Sequence, residues 1–376
     1  MLLRGIRVVA LETGLAGPLC SRLLADLGAD VVKVEQPGAG DVTRGWDTIA
    51  GGLSSGFVWV NRGKRSVALD AKDPDSRPAL EALAASADVF LENLTPGVAE
   101  RLGLGEPAVR SLRQDLVYTS ISGYGPDGPY AGKNAYDLVM QGEAGLVSVT
   151  GSPEAPARVG VSICDLAAGS YAAFATVAAL VRRAETGEGA RVSVSLFDTM
   201  VDWLGYFPHM WWHRRELPAR TGTHHPLFCP YGPYPASDGL VAIAVLSPEH
   251  WRALCMEVLD RADLAADVRY ATNEARVAAR AELEPELERE LGRLPAAEWL
   301  VRLEQAGIPC GRVNDVAAVV EHPQLAHNRL VAQVDSPVGP LPVIAPPFLV
   351  GAERPVAGPV PGLGEHTDEV LAELGL

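Results

Sequence analysis

The sequence predicts an α/β fold, with a doubly wound, Rossmann-like parallel sheet in a large domain and a smaller α+β domain after it. In the first 130 residues, short apolar runs alternate with helical patterns, and clusters of Gly, Pro and Asp separate them. After residue 220 the chain changes to a loop crowded with His, Pro and Gly, which marks a boundary. A length of 376 residues also favours about two domains over one core.

The elements of the first half follow from this alternation. Strands are predicted at Ile6–Leu11, Asp30–Val34, Asp88–Glu92 and Leu116–Ser122, and the first helix at Leu19–Leu27. The opening strand, helix and strand are typical of nucleotide-binding folds. The glycines of its turn, however, follow G-x-x-G and not G-x-G-x-x-G, which argues against an NAD site.

Composition limits the partners and the compartment. Lys and Arg number 32 against 47 Asp and Glu, a net charge of -15, which disfavours nonspecific nucleic-acid or anionic-membrane binding. The five cysteines are scattered, and the adjacent His224 and His225 would point to opposite sides of an extended segment, so no metal site is expected. The N-terminal apolar run is too short for a signal peptide or membrane span, and a cytoplasmic protein is predicted.

One stretch, from Arg158 to Arg183, organises the candidate site. Val159, Val161 and Ile163 alternate as in a strand, and a long run of small and apolar residues follows Asp165. Asp165 is therefore predicted to be a helix N-cap, and its loss as a cap would cost on the order of 1 kcal/mol. An N-cap carboxylate lies beside free N–H donors at the positive end of the helix dipole.

Several motifs together form a family pattern. They include GIRVVALETGLAGPLCSRLLADLGADVVKVEQPGAGD, NRGKRSVALD, ENLTPGV, SISGYGPDGPY, ETGEGARVSVSL, GIPCGRVND and LGEHTDEVL, with Asp165 before a helix. From Arg4 to its C-terminus the chain closely resembles the class III coenzyme A transferases of the CaiB/BaiF family. The resemblance implies transfer of CoA between an acyl-CoA thioester and a free carboxylic acid.

The resemblance also assigns roles to residues. It implies that Asp165 is the nucleophile and forms an acyl anhydride and an aspartyl-CoA thioester in turn. The implied CoA contacts are Leu15, Ala16, Gln36, Leu69, Asp70, Ala71, Lys72, Asn93, Leu94, Thr95, Arg101, Asn134, Ala135, Tyr136 and Asp137. Gln36 and Asn134 stand where relatives often carry a basic residue. The phosphate charge must then come from Lys33, Lys64, Arg65, Lys72, Arg101 and Lys133.

Domain limits follow from the pattern and the resemblance together. A large CoA-binding domain is predicted at residues 1–198, a linker at 199–225 and a small domain at 226–320. The resemblance implies that residues 321–376 return to the large domain. It also implies a homodimer of two interlocked, ring-shaped subunits.

The acyl pocket is the least determined part of the prediction. The HHPLFCPYGPYPASDG loop resembles that of relatives acting on short dicarboxylates such as succinate, itaconate, mesaconate or citramalate. His224, His225 and Tyr231 are then the candidate substrate residues. The alternative is that this loop only packs the domain junction. Leu15, in place of the Gln of formyl-transferring members, argues against a formyl or oxalate substrate.

Two other functions compete with CoA transfer. An α-methylacyl-CoA racemase of the same fold would need a His–Asp pair, but Lys133 stands at the His position and is a poor base at neutral pH. A CoA-binding protein without turnover is the alternative from another class, and in such a protein Asp165 would be replaceable.

Overall fold

The computed structural model describes residues 1–376, which divide into two compact units. The first unit comprises Met1–Leu146, Val159–Gly205 and Pro323–Leu376, and the second comprises Val147–Arg158 and Tyr206–His322. The domain limits given above stay predictions.

Eleven strands form three sheets. Their bounds are β1 (Arg7–Leu11), β2 (Asp30–Glu35), β3 (Arg65–Ala68), β4 (Val89–Glu92), β5 (Val117–Ser122), β6 (Ala190–Ser195), β7 (Tyr231–Ala236), β8 (Gly239–Ala244), β9 (Cys310–Arg312), β10 (Val331–Val334) and β11 (Leu341–Ile344). The main sheet is parallel throughout, in the order β3-β2-β1-β4-β5-β6. The prediction of a parallel α/β fold is therefore confirmed.

Helices connect and cover these strands. Their bounds are α1 (Ala16–Asp26), α2 (Ser55–Asn61), α3 (Arg77–Ser86), α4 (Val98–Arg101), α5 (Glu106–Leu112), α6 (Asp137–Glu143), α7 (Leu146–Val149), α8 (Ile163–Thr186), α9 (Leu196–Trp203), α10 (Phe207–Arg214), α11 (Pro248–Ala253), α12 (Ala262–Ala266), α13 (Asn273–Ala278), α14 (Arg280–Leu291), α15 (Ala296–Gln305), α16 (Val316–Val320), α17 (Pro323–His327) and α18 (Thr367–Glu373).

Alternation along the strands separates two cores in the first unit. Val8 and Ala10 face the layer of α1 and α8, whereas Val9, between them, packs with side chains of α3 and α18. Because successive side chains of a strand point to opposite faces, both faces of the sheet are apolar and both carry helices. This is why the strands are nearly continuous apolar runs.

Helix α8 lies in the first of these cores. Its 24 residues and their hydropathy are enough to cross a membrane by length and composition alone. The small residues Ala168, Gly169 and Ala172 are nevertheless buried, and a Cβ on Gly169 would lie 2.6 Å from the carbonyl oxygen of Ala16. The close approach of α1 explains why α8 carries small residues, including Gly169, on this face.

The C-terminal segment covers the free edge of the main sheet. The Ser66 N–H donates to Nδ1 of His366, and the Ala68 N–H donates to Oγ1 of Thr367. Arg65 then pairs with Glu373 of α18 at 2.6 Å. An unpaired edge strand is thereby satisfied, and the predicted return of the chain to the large domain is confirmed.

The second unit contains a three-stranded antiparallel sheet, in the order β7-β8-β9, with helices α11 to α15. Its core includes Trp251, Trp299 and Tyr234, all buried. This is the small α+β domain expected after the large one.

A buried charge network connects β2 and the loops that follow β1 and β2 with Lys64, the residue before β3. Nζ of Lys64 is 2.7 Å from Oε1 of Glu12, and Nζ of Lys33 is 2.7 Å from Oδ2 of Asp41. All four side chains are buried. Burial alone would raise the pKa of Glu12, but Lys64 and Lys33 hold that pKa below its ordinary value. The network joins the first turn of the fold to β2 and to the residue preceding β3.

Removing one member of this network should be costly. Glu12→Gln leaves two lysines without their shared carboxylate in a buried site, so the free energy of unfolding should fall by about 3–5 kcal/mol. Urea denaturation measures this change. The double variant Glu12→Gln/Lys64→Met should recover part of the loss, and the exposed-pair control Glu373→Gln should cost under about 1 kcal/mol. A Glu12→Gln cost as small as the control's would contradict this account.

Candidate active site

Five loops meet at one edge of the main sheet because its strands are parallel. They follow β1, β2, β3, β4 and β5. These loops and the helix ends next to them carry all fifteen predicted CoA contacts. Three of the contacts lie on helices: Ala16 begins α1, Arg101 ends α4 and Asp137 begins α6. In open α/β sheets this edge is where ligands bind. The fold thus brings together residues that lie up to 122 positions apart, from Leu15 to Asp137.

Of the cavities along this edge, two are lined by several of the predicted CoA contacts. The first, called here the β1–β4 cavity, has a volume of about 210 Å³ and is lined by Gln36, Leu69, Ala71, Lys72 and Leu94 among others. The second, the β4–β5 cavity, has a volume of about 150 Å³ and is lined by Asn93, Leu94, Thr95, Asn134, Ala135 and Tyr136, together with Lys133 and Ser122. Leu94 lines both. Of the predicted CoA contacts, only Leu15, Ala16, Asp70, Arg101 and Asp137 line neither.

Asn93 fixes the loop after β1. Its side chain accepts from the Thr13 N–H at 2.9 Å and donates to the Thr13 carbonyl at 2.8 Å. A Cβ on Gly17 would lie 2.7 Å from Cγ of Asn93, so only glycine fits in this first turn of α1. The sequence could not show this contact, because it joins positions 80 residues apart.

Asp165 lies in the first turn of α8 but does not cap it. The helix begins at Ile163, its N-cap position is Ser162, and residues 158–162 form no strand. The predicted N-cap and the predicted strand were therefore wrong. The apolar alternation that indicated a strand belongs to an irregular segment in which the Val159 N–H donates to the Gln141 side chain. The Asp165 carboxylate is half-buried, and it forms no hydrogen bond or ion pair within the chain.

The capping carboxylate is that of Asp137. Its Oδ1 accepts from the Cys164 N–H at 3.0 Å, and its Oδ2 accepts from the Gln141 side chain at 2.7 Å. Asp137 thus satisfies an orphan donor at the N-terminus of α8 from a different helix, α6. The sequence offered one signal, since Asp137 and Gln141 stand four residues apart at the start of a helix.

This arrangement leaves two carboxylates at one helix end. Burial and, as the smaller cause, the nearby charge of Asp137 together raise the pKa of Asp165 to about 7. Cys164, between them in the fold, is not a competing nucleophile, because burial and Asp137 raise the pKa of its thiol to about 12. Of the two carboxylates, Asp165 is the one that makes no hydrogen bond, is partly accessible and ionises near neutral pH.

The predicted phosphate-binding cations divide into two groups. Lys33 and Lys64 are fully buried in the network with Glu12 and Asp41, and burial lowers the pKa of Lys64 to about 8. Arg65 is paired with Asp30 and Glu373. The expectation that these three supply charge to phosphates was therefore wrong. Lys72, Arg101 and Lys133 are exposed and form no ion pair.

The candidate substrate residues all lie in the second unit. Nδ1 of His224 is 3.0 Å from Oε1 of Glu284, and Arg280 pairs with the same carboxylate. Nδ1 of His225 accepts from the Leu227 N–H, and its ring stacks on Tyr231 with centroids 4.9 Å apart. Burial, with Arg280, lowers the pKa of His225. Their role in binding an acyl group stays a prediction.

Comparison with known proteins decides the family. The chain matches CoA-transferase family III over residues 3–367. It belongs to this family. It is therefore a class III CoA-transferase, and its substrates are CoA thioesters and carboxylic acids.

Individual relatives align with most or nearly all of the chain. Human succinyl-CoA:glutarate CoA-transferase is 35% identical over 376 residues, covering 99% of this chain and 86% of the relative. Acetyl-CoA:oxalate CoA-transferase of Acetobacter aceti is 37% identical over 329 residues, covering 87% and 84%. A CaiB/BaiF family protein from Brucella suis has a solved structure with a TM-score of 0.88 at 36% identity, covering 99% of both chains.

The raised pKa of Asp165 makes a prediction about stability. Its folded pKa of about 7 exceeds the unfolded value near 3.8, so the folded state holds more protons between those values and loses stability as pH rises through them. Asp165→Asn should therefore exceed the wild type by about 2 kcal/mol in free energy of unfolding at pH 8, with little difference below pH 4.

Denaturation curves at several pH values measure this difference. Glu185→Gln, an exposed position near the other end of α8, serves as the matched control and should show no such pH-dependent gain. A destabilised Asp165→Asn at pH 8, as expected for a lost N-cap, would contradict the burial argument.

Proposed function

We propose that this enzyme transfers CoA between an acyl-CoA and a free dicarboxylic acid, with Asp165 as the nucleophile. The observation that carries the proposal is the unpaired Asp165 carboxylate at the N-terminus of α8, where Asp137 already occupies the capping role. Residues 134–136, which immediately precede Asp137, line the β4–β5 cavity. The candidate nucleophile is thereby tied through Asp137 to the edge that carries the predicted CoA contacts.

The proposed reaction has four balanced steps. An Asp165 oxygen attacks the thioester carbonyl carbon, the C–S bond breaks, and CoA leaves as the thiolate. An acyl-aspartyl anhydride remains on the enzyme. The thiolate attacks the aspartyl carbonyl of that anhydride and releases the donor acid as its carboxylate. The acceptor carboxylate then attacks the aspartyl-CoA thioester, which releases the thiolate again and forms an anhydride between Asp165 and the acceptor. Attack of the thiolate on the acceptor carbonyl gives the new acyl-CoA and free Asp165.

Partial burial of Asp165 suits the first step. A carboxylate with few hydrogen bonds and little water around it has less solvation to lose before attack. Its ionised fraction increases as pH passes through about 7. The rate of the first step should increase with it, because only the carboxylate is nucleophilic. The N–H groups of the first turn of α8 and the helix dipole are available to stabilise negative charge that develops on the carbonyl oxygen.

A dicarboxylate is the proposed acceptor because of the relatives' substrates and the hydrogen-bonding side chains of the predicted substrate loop in the second unit. The two relatives described above are named for glutarate, succinate and oxalate, all dicarboxylic acids. A second carboxylate needs a hydrogen-bonding or cationic partner, and His225 and Tyr231 form a stacked pair in the predicted substrate loop. Oxalate, which Leu15 and the lack of the formyl-transferring members' glycine-run loop disfavour, remains among the candidates because of the Acetobacter relative.

Covalent trapping tests the role of Asp165. On incubation with succinyl-CoA, hydroxylamine should convert Asp165 to a hydroxamate, because an anhydride or thioester is electrophilic and a carboxylate is not. Peptide mass spectrometry locates the modification. Asp165→Asn should lose both the label and transfer activity while unfolding cooperatively at a temperature no lower than that of the wild type. Label on another residue, or transfer at the wild-type rate by the variant, would overturn the assignment.

A substrate panel tests the acceptor class. With succinyl-CoA as donor, glutarate, mesaconate, itaconate, citramalate and oxalate should be accepted at least about tenfold better in kcat/KM than propionate or cinnamate. Formation of the new CoA ester, followed by mass spectrometry, gives the rates. His225→Ala should raise KM for diacids more than for monoacids. Preference for monoacids with no effect of His225→Ala would leave CoA transfer intact and reject the dicarboxylate proposal.

A cytoplasmic, interlocked homodimer is the proposed assembly, supported by family membership. Exposed apolar side chains on α8 and α9, including Phe174, Val181 and Trp203, are consistent with a covered surface. Light scattering at low micromolar concentration should give about twice the mass of the 39.8 kDa chain. A monomer there would reject this assembly.

A further inference from the structure

The turn after β1 is held by side chains from two other loops of the main sheet. Helix α1 has Leu15 at its N-cap position, and this side chain cannot accept from the first N–H groups of the helix. Asn93, which follows β4, bonds the backbone of Thr13. The Gly14 N–H, one residue further along, donates to Asp41. The entry of the chain into α1 is therefore fixed by residues that are distant in sequence.

The Asp41 carboxylate forms bonds with both of its oxygens. Oδ1 accepts from the Gly14 N–H at 3.2 Å and from the Thr13 hydroxyl at 3.3 Å. The same atom accepts from the N–H and from the hydroxyl of Thr43, both at 2.8 Å. Oδ2 accepts from Nζ of Lys33 at 2.7 Å. The carboxylate thus joins the turn after β1 to the loop after β2 and to β2 itself.

Asp41 and Lys33 form a buried ion pair that is charged around neutral pH. Burial alone would raise the pKa of Asp41, but Lys33 and Thr43 hold that pKa below its ordinary value. Burial alone would lower the pKa of Lys33, but Glu12 and Asp41 hold it above its ordinary value. Lys33 also donates to the Glu12 carbonyl at 3.2 Å. The pair therefore bonds the chain on both sides of Thr13.

We propose that Asp41, fixed by Lys33, is a positioning residue for CoA, which holds the turn after β1 in the conformation that binds the ligand. The turn leads directly into Leu15 and Ala16, two of the predicted CoA contacts. Thr13 and Asp41 themselves line the β1–β4 cavity. The inference extends the CoA-transferase activity and does not depend on the identity of the nucleophile.

Preorganisation of the turn is the physical reason for this role. Gly14 has a φ of +75°, and a glycine loses more conformational freedom on ordering than any other residue. If Asp41 did not hold the Gly14 N–H, the turn would have to be ordered on binding, which would weaken affinity. The same bonds keep the uncapped N-terminus of α1 in place at the edge where the loops meet.

Calorimetric titration with CoA tests the inference without requiring turnover. An amide has one oxygen, so the side chain in Asp41→Asn cannot hold the Gly14 N–H while it is itself held by Lys33. The Kd of CoA should therefore increase about tenfold. Asp26, at the other end of α1, pairs with Arg62 in an equally buried site, and Asp26→Asn is the matched control. It should bind CoA as the wild type does, at a temperature where both variants are folded.

Thr13→Val tests the same bonds from the side of the turn and leaves the buried ion pair intact. Valine matches threonine in shape but lacks the hydroxyl, so the Kd of CoA should increase several-fold. Thr13→Ser keeps the hydroxyl and should recover most of the affinity. Because Thr13 is exposed, the double variant Thr13→Val/Asp41→Asn separates a direct contact with CoA from the bond to Asp41. It should bind about as weakly as Asp41→Asn alone, since both changes remove the same interaction.

Amide hydrogen exchange in the ligand-free protein gives a second readout. The Gly14 N–H should exchange at least about tenfold faster in Asp41→Asn than in the wild type, because its acceptor is lost. Asp26→Asn should leave this rate unchanged. Faster exchange at Gly14 in the control as well would indicate a general loss of stability and would contradict local positioning.

The binding data can overturn the proposal in several ways. Unchanged CoA affinity in Asp41→Asn or in Thr13→Val would show that these bonds do not position the ligand site. Equal weakening in Asp26→Asn would assign the effect to the stability of the fold. Additive losses in the double variant would indicate that Thr13 contacts CoA directly. Covalent labelling of Asp165 is measured separately, so failure of this inference and failure of the proposed nucleophile are distinguishable.

Discussion

The bond from the Cys164 N–H to Asp137 is the interaction on which the candidate site depends. A helix N-terminus must have its first N–H groups satisfied, and the side chain of the N-cap residue usually accepts from one of them. Here the acceptor comes from α6, and Gln141 fixes its orientation. Asp165 is thereby released from a capping role while it keeps the favourable field of the helix end. The same bond connects α8, which crosses the core, to the loop that lines the β4–β5 cavity.

Partial burial gives Asp165 two opposing properties. Removal from water raises its pKa to about 7 and so decreases the ionised fraction at neutral pH. It also leaves the ionised form poorly solvated and therefore more reactive. A second carboxylate, Asp137, increases the first effect, whereas the dipole of the 24-residue helix α8 opposes it. The burial that lowers the stability of the fold at neutral and higher pH therefore also places the pKa of the nucleophile in the physiological range.

Most of the large domain could be predicted from the sequence, because its strands are apolar runs between clear turn signals. The predicted strands Asp30–Val34 and Leu116–Ser122 agree with the observed ones to within one residue at each end. The segment before Asp165 could not be predicted in this way. Its alternating valines mimic a strand, but the hydrogen bonds that a strand needs are made instead with Gln141, 18 residues away. Local periodicity carries no information about such a partner.

The cations show the same limit more sharply. Lys33, Lys64 and Arg65 stand out in the sequence as much as Lys72 and Lys133 do, since a basic residue in an acidic, lysine-poor chain suggests an anionic ligand. Lys33 and Lys64 differ from the exposed lysines because they are buried beside Glu12 and Asp41. Arg65 differs because it is paired with Asp30 and Glu373. These carboxylates are either distant in sequence or carry no recognisable signal in it. Lys33 and Lys64 are paired with carboxylates of the fold and are not accessible to a ligand. The two exposed lysines, Lys72 and Lys133, have no ion-pair partner, and both lie along the carboxyl edge of the sheet.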